Sequence, residues 1–277
     1  MYRFLTGDGL SASPIFLSSP HSGTDFPEEI EPWVKPDLLK QPPDTDWWQD
    51  ELYQFCTDLG MSQISAKWSR YVIDLNRDPE SKSLYADGRI ESGLLPTKTF
   101  SGEGIYRNGA PFLNVNGLIH REEIVRRREA FYRPYYERIS SELDQLRKRF
   151  SRVLLFDCHS IKSRVPSLSP EPFPQMILGN NDGKSCSHDV LEAAAHSLQQ
   201  AGWEVAVNHP FKGGHITRHF GSRDDGIEAL QLEMCQSNYM DEIHIEKVES
   251  RFLKLQKDLK GMLSEVADVL KKSGKEL

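Results

Sequence analysis

Short apolar runs alternate with helix-like patterns along this 277-residue chain, and this alternation constrains the fold more than any other feature. Most runs place Val, Ile, Leu and Phe at consecutive positions, which is typical of strands that are covered on both faces. Strands that alternate with helices predict an α/β fold, with an open, mostly parallel or mixed sheet and helices on both faces. The candidate strands are residues 14–18, 70–75, 153–156, 176–178, 203–207 and 229–232.

Between these runs, apolar residues recur at the spacing of amphipathic helices. We expect a kink near Pro134, because proline removes a backbone donor inside a helix, and we expect Gly202 to end a helix. We predict one domain over 1–277, with its core over about 14–270. The predicted helices cover residues 46–56, 124–150, 190–198 and 246–270.

Charge and cysteine usage exclude several classes of protein. The chain has 34 basic and 41 acidic residues, a net charge of −7, which disfavours a nucleic-acid binder. Its four cysteines are isolated, so they do not resemble a secreted disulfide framework. No stretch approaches the roughly 20 apolar residues that cross a bilayer, and the first residues lack a signal-peptide core. We therefore expect a cytoplasmic protein without a membrane or nucleic-acid partner.

Chemically active side chains follow four of the apolar runs. His21 follows the first run, Asn76 and Arg77 follow the second, His159 follows the third, and Glu233 follows a later one. Taken singly, each has an ordinary explanation, such as a loop histidine, a surface ion pair or a strand-end carboxylate. In an open α/β sheet, however, the carboxyl ends of the strands form the active-site edge. Their joint occurrence there favours a functional site.

Such a set of residues suits metal-assisted hydrolysis. Zinc binds imidazole nitrogens and a carboxylate and leaves one position for water. The pKa of that water falls from 15.7 toward roughly 7, and a separate carboxylate can move its proton to a leaving nitrogen. A guanidinium can hold a substrate carboxylate through two parallel hydrogen bonds. The sequence therefore predicts a metal-dependent hydrolase of a small amide.

Read in order, the motifs resemble those of the N-formylglutamate amidohydrolase family. The resemblance spans residues 14–242, and that family is in turn similar in fold to zinc carboxypeptidases and aspartoacylases. The matching segments are residues 19–23, 44–47, 69–77, 157–160, 211–217, 231–234 and 239–240.

The resemblance implies a role for each of these residues. His21 and His159 would bind zinc, and Glu233 would act as general base on the zinc-bound water. Asn76 and Arg77 would hold a substrate carboxylate. The implied reaction converts N-formyl-L-glutamate into formate and L-glutamate, late in histidine degradation.

The third metal ligand departs from the carboxypeptidase pattern. Thr24 occupies the position of the acidic ligand, three residues after the first histidine. We choose Asp46 instead, because it precedes Trp47 at the start of a predicted helix, as the carboxypeptidase glutamate precedes a tryptophan and a helix. Asp25 and Asp44 are alternatives, and Asp44 could serve only as a helix cap.

Further substrate contacts are expected from cationic residues and from a glycine turn. N-formylglutamate carries two carboxylates, so Arg70 is a candidate second anchor. Gly213 and Gly214 either allow the backbone to approach a ligand or form an ordinary hairpin turn. His215 and Arg218, which follow the turn, would add contacts to the substrate.

Two alternatives remain open from the sequence. The substrate could be another N-acyl amino acid or small amide, since a fold transfers chemistry better than specificity. The chain could also be a metal-free protein that binds an acidic small molecule with Arg77. The long irregular stretch 78–116, rich in Gly and Pro and too polar for a core, is a candidate lid or wall.

Overall fold

The longest strands lie at the centre of one seven-stranded sheet. The computed structural model describes residues 2–7, 12–80, 82–83 and 92–273. Its strands are β1 (Tyr2–Leu5), β2 (Ile15–Ser19), β3 (Ser62–Ala66), β4 (Val153–Ile161), β5 (Met176–Gly179), β6 (Val205–Val207) and β7 (Ile227–Cys235), with a separate hairpin of β8 (Met240–Asp241) and β9 (Glu246–Lys247).

The sheet is mixed but mostly parallel, and its order is β1-β3-β2-β4-β7-β5-β6. The four strands β3, β2, β4 and β7 are adjacent in this order and all parallel to one another. Strand β1 is antiparallel to β3, and β5 is antiparallel to β7, while β6 is parallel to β5. The predicted α/β fold with a mostly parallel sheet is confirmed.

Helices cover both faces of the sheet. Along β4, Leu154 packs with helices over residues 188–200 and 249–273 on one face, whereas Leu155 packs with the helix over residues 133–147 on the other. Successive residues of a strand point to opposite faces, so consecutive apolar residues feed two separate cores. The helices are α1 (Pro36–Lys40), α2 (Gln49–Leu52), α3 (Arg121–Arg127), α4 (Arg133–Arg147), α5 (His188–Gln200), α6 (His215–Phe220) and α7 (Glu249–Ser273).

The prediction of a strand over 70–75 is wrong. The second parallel strand is β3, and residues 70–75 form a buried irregular segment. Its backbone bonds with loops instead of a strand: the Asp74 N–H donates to the Leu94 carbonyl, and the Tyr71 carbonyl accepts from Tyr106. Other loops cover this segment, which explains its apolar residues. Strand β3 was not recognised from the sequence because polar residues lie between its apolar ones.

The helix predictions have mixed outcomes. Helices α5 and α7 are confirmed, whereas the helix over 46–56 is wrong, since only the single turn α2 and a 3₁₀ segment, Gln54–Leu59, form there. The helix over 124–150 divides into α3 and α4 around a five-residue π-helix, Arg128–Tyr132. Pro134 lies in the first turn of α4, where its missing N–H interrupts the regular hydrogen-bond ladder.

The stretch 78–116 is less polar than predicted. Its residues Leu94, Ile105 and Tyr106 are buried in the core beneath α4. Residues 81 and 84–91 of this stretch lie outside the described residues. In the part of the chain that is described, no helix has both the length and the apolar character to cross a membrane.

Helix α7 provides a test of the core on its face of the sheet. Leu263 is fully buried in that core, while Leu253 of the same helix is 53% exposed. Leu263→Ala should lower the free energy of unfolding by about 2–5 kcal/mol, because it leaves a cavity. Leu253→Ala is the matched control and should change the unfolding free energy, measured in urea, by only a few tenths of a kcal/mol. Equal effects of the two substitutions would contradict this packing.

Candidate active site

Three buried side chains from distant parts of the chain meet at the carboxyl end of the sheet. His21 lies two residues after β2, His159 lies within β4, and Asp46 lies in the turn before α2. Asp46 Oδ2 is 3.1 Å from His159 Nδ1 and 3.8 Å from His21 Nδ1. Ligand atoms of all three residues lie within 4.8 Å of one another. Among the described residues, this is the one cluster of three side chains suited to a metal ion.

Two further carboxylates orient the histidine rings. His21 Nε2 lies 2.7 Å from Asp74 Oδ1, and His159 Nε2 faces Asp157 Oδ1 at 3.2 Å. The carboxylate beside His21 Nε2 holds the ring proton there and leaves Nδ1 for a metal. Sequence reasoning missed these orienting roles. The position of Asp157, two residues before His159 in a strand and therefore on the same face, could have indicated one of them.

Asp74 is ionised although it is completely buried. Arg70 Nη2 donates to Asp74 Oδ2 at 2.6 Å, and Arg77 Nε lies 3.8 Å from the same oxygen. Burial alone would raise the pKa of Asp74, but the charge of Arg70 and the hydrogen bond with His21 hold that pKa well below its usual value. The pair that Arg77 could form with Asp74 is therefore buried at the site, not a surface ion pair.

The cluster favours a positive charge between its ligands. Burial and the nearby Arg70 lower the pKa of His21, which keeps that imidazole neutral and able to bind a metal. Burial also opposes protonation of His159, but Asp157 and Asp46 outweigh it and raise its pKa well above the usual value. In the protein alone a proton supplies the charge that these carboxylates attract, and a divalent cation fits the same donor set of two imidazoles and one carboxylate.

The alternatives to Asp46 are placed elsewhere. Asp44 Oδ2 accepts a hydrogen bond from the Tyr71 hydroxyl at 2.7 Å and another from the Phe100 N–H at 2.9 Å. Its carboxylate therefore ties two loops together. Asp25 is not part of the cluster of potential ligands in the described residues.

Glu233 lies beside the cluster on the neighbouring strand. The parallel register of β4 and β7 pairs it with His159. Gln231 Nε2 donates to Glu233 Oε2 at 3.3 Å, and Gln231 Oε1 accepts from the Gly214 N–H at 2.7 Å. Burial raises the pKa of Glu233 to about 8, against the opposing effect of His159. A carboxylate with such a pKa can exchange a proton near neutral pH.

A cavity of about 770 Å³ opens in front of these residues. Arg70, Asn76, Arg77 and Gly214 all line it, as do the three potential metal ligands and Glu233. The sequence-predicted residues on this edge thus share one cavity, although they come from separate strands and loops.

Two predicted contact residues are not among the described residues that line the cavity. The His215 ring lies against Tyr136 and stacks on His219, with ring centroids 6.0 and 5.4 Å away. Arg218 Nε donates to the Gly213 carbonyl at 3.0 Å. Arg218 therefore holds the turn that precedes α6, and the His215 ring packs on neighbouring aromatic rings at the start of that helix.

The glycine turn makes room for Asn76. A Cβ atom on Gly214 would lie only 2.2 Å from Asn76 Nδ2, so no larger residue fits there without movement. Asn76 Nδ2 is 3.0 Å from His159 Nε2, and Asn76 Oδ1 accepts from the Ile216 N–H at 2.8 Å. Gly213 has a φ of +105°, which favours glycine. The close approach made possible by Gly214 thus serves a side chain of the site.

Sequence reasoning missed an apolar wall on one side of the cavity. Its residues come from the irregular segment before β5, the end of β4 and the segment after β6, and only the repeated prolines near 170 could have suggested a rigid wall there. They are Ile161, Leu168, Pro170, Pro172, Phe173, Pro174, Pro210 and Phe211.

Similarity to known proteins agrees with this arrangement. A family model described as N-formylglutamate amidohydrolase matches residues 13–240. An N-formylglutamate deformylase of Pseudomonas putida is 40% identical over 230 residues, which cover 83% of this chain and 82% of that protein. An N-formylglutamate deformylase of Pseudomonas aeruginosa is 39% identical over 236 residues, which cover 83% of each chain.

A solved structure shows the same fold. The crystal structure of an N-formylglutamate amidohydrolase from Ralstonia eutropha JMP134 superposes with a TM-score of 0.81 and covers 98% of this chain and 99% of that one, at 24% identity. With the matches in sequence over most of its length, the chain belongs to the N-formylglutamate amidohydrolase family.

Proposed function

We propose that this protein is a metal-dependent amidohydrolase that cleaves N-formyl-L-glutamate to formate and L-glutamate. The observation that carries the proposal is the convergence of His21, Asp46 and His159 on one point, with Glu233 on the adjacent strand. The two relatives that align with most of this chain are N-formylglutamate deformylases. This similarity supports the proposed substrate and disfavours a non-catalytic binder. These products would place the reaction late in histidine degradation.

The proposed cofactor is one divalent ion, zinc by the chemistry of its donors. Nδ1 of His21, Nδ1 of His159 and the Asp46 carboxylate would hold it, and two nitrogens with one oxygen are a typical ligand set for catalytic zinc. When bound, zinc supplies a Lewis acid and lowers the pKa of water. Asp74 would keep the His21 ring in the tautomer that this binding requires.

Glu233 is the proposed general base. Its carboxylate lines the cavity next to the cluster, and Gln231 restrains one of its oxygens. In this role Glu233 accepts a proton from the attacking water and then delivers it to the nitrogen of the cleaved amide. Glutamate can then leave as a neutral amine.

Arg77 and Arg70 are proposed to hold the substrate carboxylates. Both line the cavity, and Arg70 already contributes part of its guanidinium to Asp74, leaving other N–H groups for a ligand. Asn76 would position His159 while facing the same space. We assign Arg218 to supporting the Gly214 turn and His215 to packing on neighbouring aromatic rings, since neither lines the cavity.

The choice of Asp46 as a ligand is tested by metal content. Asp46→Asn should reduce bound zinc from about one per chain to a small fraction, because loss of one ligand weakens a three-ligand site severely. Asp44→Asn is the matched control, since that carboxylate contacts Tyr71 and Phe100 instead, and it should retain the metal. Elemental analysis after dialysis measures both. Full zinc occupancy in Asp46→Asn would remove Asp46 from the site.

The role of Glu233 is tested by separating chemistry from binding. Glu233→Gln keeps the shape of the side chain but cannot accept a proton, so kcat on N-formylglutamate should fall by about 10² to 10⁴. Zinc content should stay the same, and KM should change little. Glu204→Gln, at an exposed position away from the cavity, is the control and should keep normal kinetics. Nearly normal kcat in Glu233→Gln would contradict the mechanism.

A further inference from the structure

The apolar wall continues the catalytic row of the sheet. The register of β4 and β7 pairs His159 with Glu233 and, one step further along the same face, Ile161 with Cys235. Ile161 and Cys235 belong to a small apolar cluster with Phe173. Space next to the catalytic pair is therefore bounded by apolar side chains.

Two phenylalanines close this apolar side. The rings of Phe173 and Phe211 lie 5.3 Å apart between centroids, and both residues line the cavity. Phe173 precedes β5 and Phe211 follows β6, so the wall stands on the β5 and β6 side of β7. It faces the cavity without contributing a charge.

The cationic side of the cavity lies across the cluster. Arg70 and Arg77 flank Asp74, which holds His21 at the end of β2. Because the sheet order runs from β2 through β4 and β7 to β5 and β6, these arginines and the apolar wall stand on opposite sides of His159. An amide bound between them would have the arginines on one side and the apolar wall on the other.

The difference between the two sides of the cavity predicts where each half of a substrate binds. If the proposed function is correct, the carboxylates of the glutamate part bind on the arginine side, and the acyl part of the amide points toward the apolar wall. A formyl group has no carbon beyond its carbonyl, so it leaves that region unfilled. The cavity of about 770 Å³ falls in the range that accommodates drug-sized ligands, much larger than N-formylglutamate.

We propose that Ile161, Phe173 and Phe211 form an acyl subsite that binds short aliphatic acyl groups. This inference rests on the proposed function and deepens it: the ligands are N-acylglutamates with an apolar chain. Glu171, an exposed residue that also lines the cavity, disfavours acyl groups that end in a carboxylate.

The test is inhibition of N-formylglutamate hydrolysis by N-acetyl-, N-butanoyl- and N-hexanoylglutamate. These compounds share the glutamate part and differ only in apolar chain length. Each methylene that is buried in an apolar site improves binding about fourfold. With partial burial, the inhibition constant should fall at least tenfold from the acetyl to the hexanoyl compound. A constant that stays level or rises with chain length overturns the subsite.

A pair of variants locates the effect. Phe211→Ala should remove most of the gain between the acetyl and hexanoyl compounds. Phe100→Ala is the matched control, because Phe100 lines the same cavity but packs on Arg70, with the guanidinium carbon 4.7 Å from its ring centroid. It should preserve the ratio of the two inhibition constants. Loss of the ratio in Phe100→Ala and its retention in Phe211→Ala would place the acyl chain on the other side and overturn the assignment.

The two proposals fail in different ways. Absence of N-formylglutamate turnover by the zinc-loaded protein overturns the proposed function and, with it, the acyl subsite. Normal turnover without chain-length dependence overturns the acyl subsite alone. N-Adipoylglutamate, in which the acyl chain of N-hexanoylglutamate ends in a carboxylate, should inhibit less than N-hexanoylglutamate. Stronger inhibition by N-adipoylglutamate would contradict an apolar subsite.

Discussion

The buried ion pair between Asp74 and Arg70 is the interaction on which the rest of the site depends. A carboxylate without solvent is costly unless it is paired, and here Arg70 compensates its charge while His21 hydrogen-bonds to it. The pair fixes the proton of His21 on Nε2 and directs Nδ1 to the cluster. It also anchors the irregular segment that carries Asn76 and Arg77 into the cavity, so removing either partner would disturb several functional groups at once.

The sheet supplies the second constraint. His159 and Glu233 are neighbours because β4 and β7 are parallel and in register, and parallel strands place their functional residues at a common edge. This explains how the motifs at the ends of β2, β4 and β7 can form one site. The same register places Ile161 and Cys235 one step beyond, where the loops that carry Phe173 and Phe211 complete the apolar side of the cavity.

The sequence predicted those parts of the molecule that depend on local pattern. Consecutive apolar residues identified β4 and β7, and the motif order suggested the residues that the structure brings together. It failed where long-range packing decides: the apolar segment 70–75 is covered by loops and is not a strand, and His21, whose ring Asp74 contacts, is distant from Asp74 in the chain. The apolar wall joins Ile161, Phe173 and Phe211 only through the fold, so no local pattern could predict it.

Anomalous scattering at the zinc absorption edge, from crystals of the zinc-loaded protein, tests the central claim most directly. The account predicts one peak within bonding distance of His21 Nδ1, His159 Nδ1 and the Asp46 carboxylate, about 2.0–2.2 Å from each. His21 Nε2 should remain directed at Asp74. A peak at another position, or zinc bound through His21 Nε2, would contradict the claim that the buried Asp74 carboxylate orients His21 for the metal.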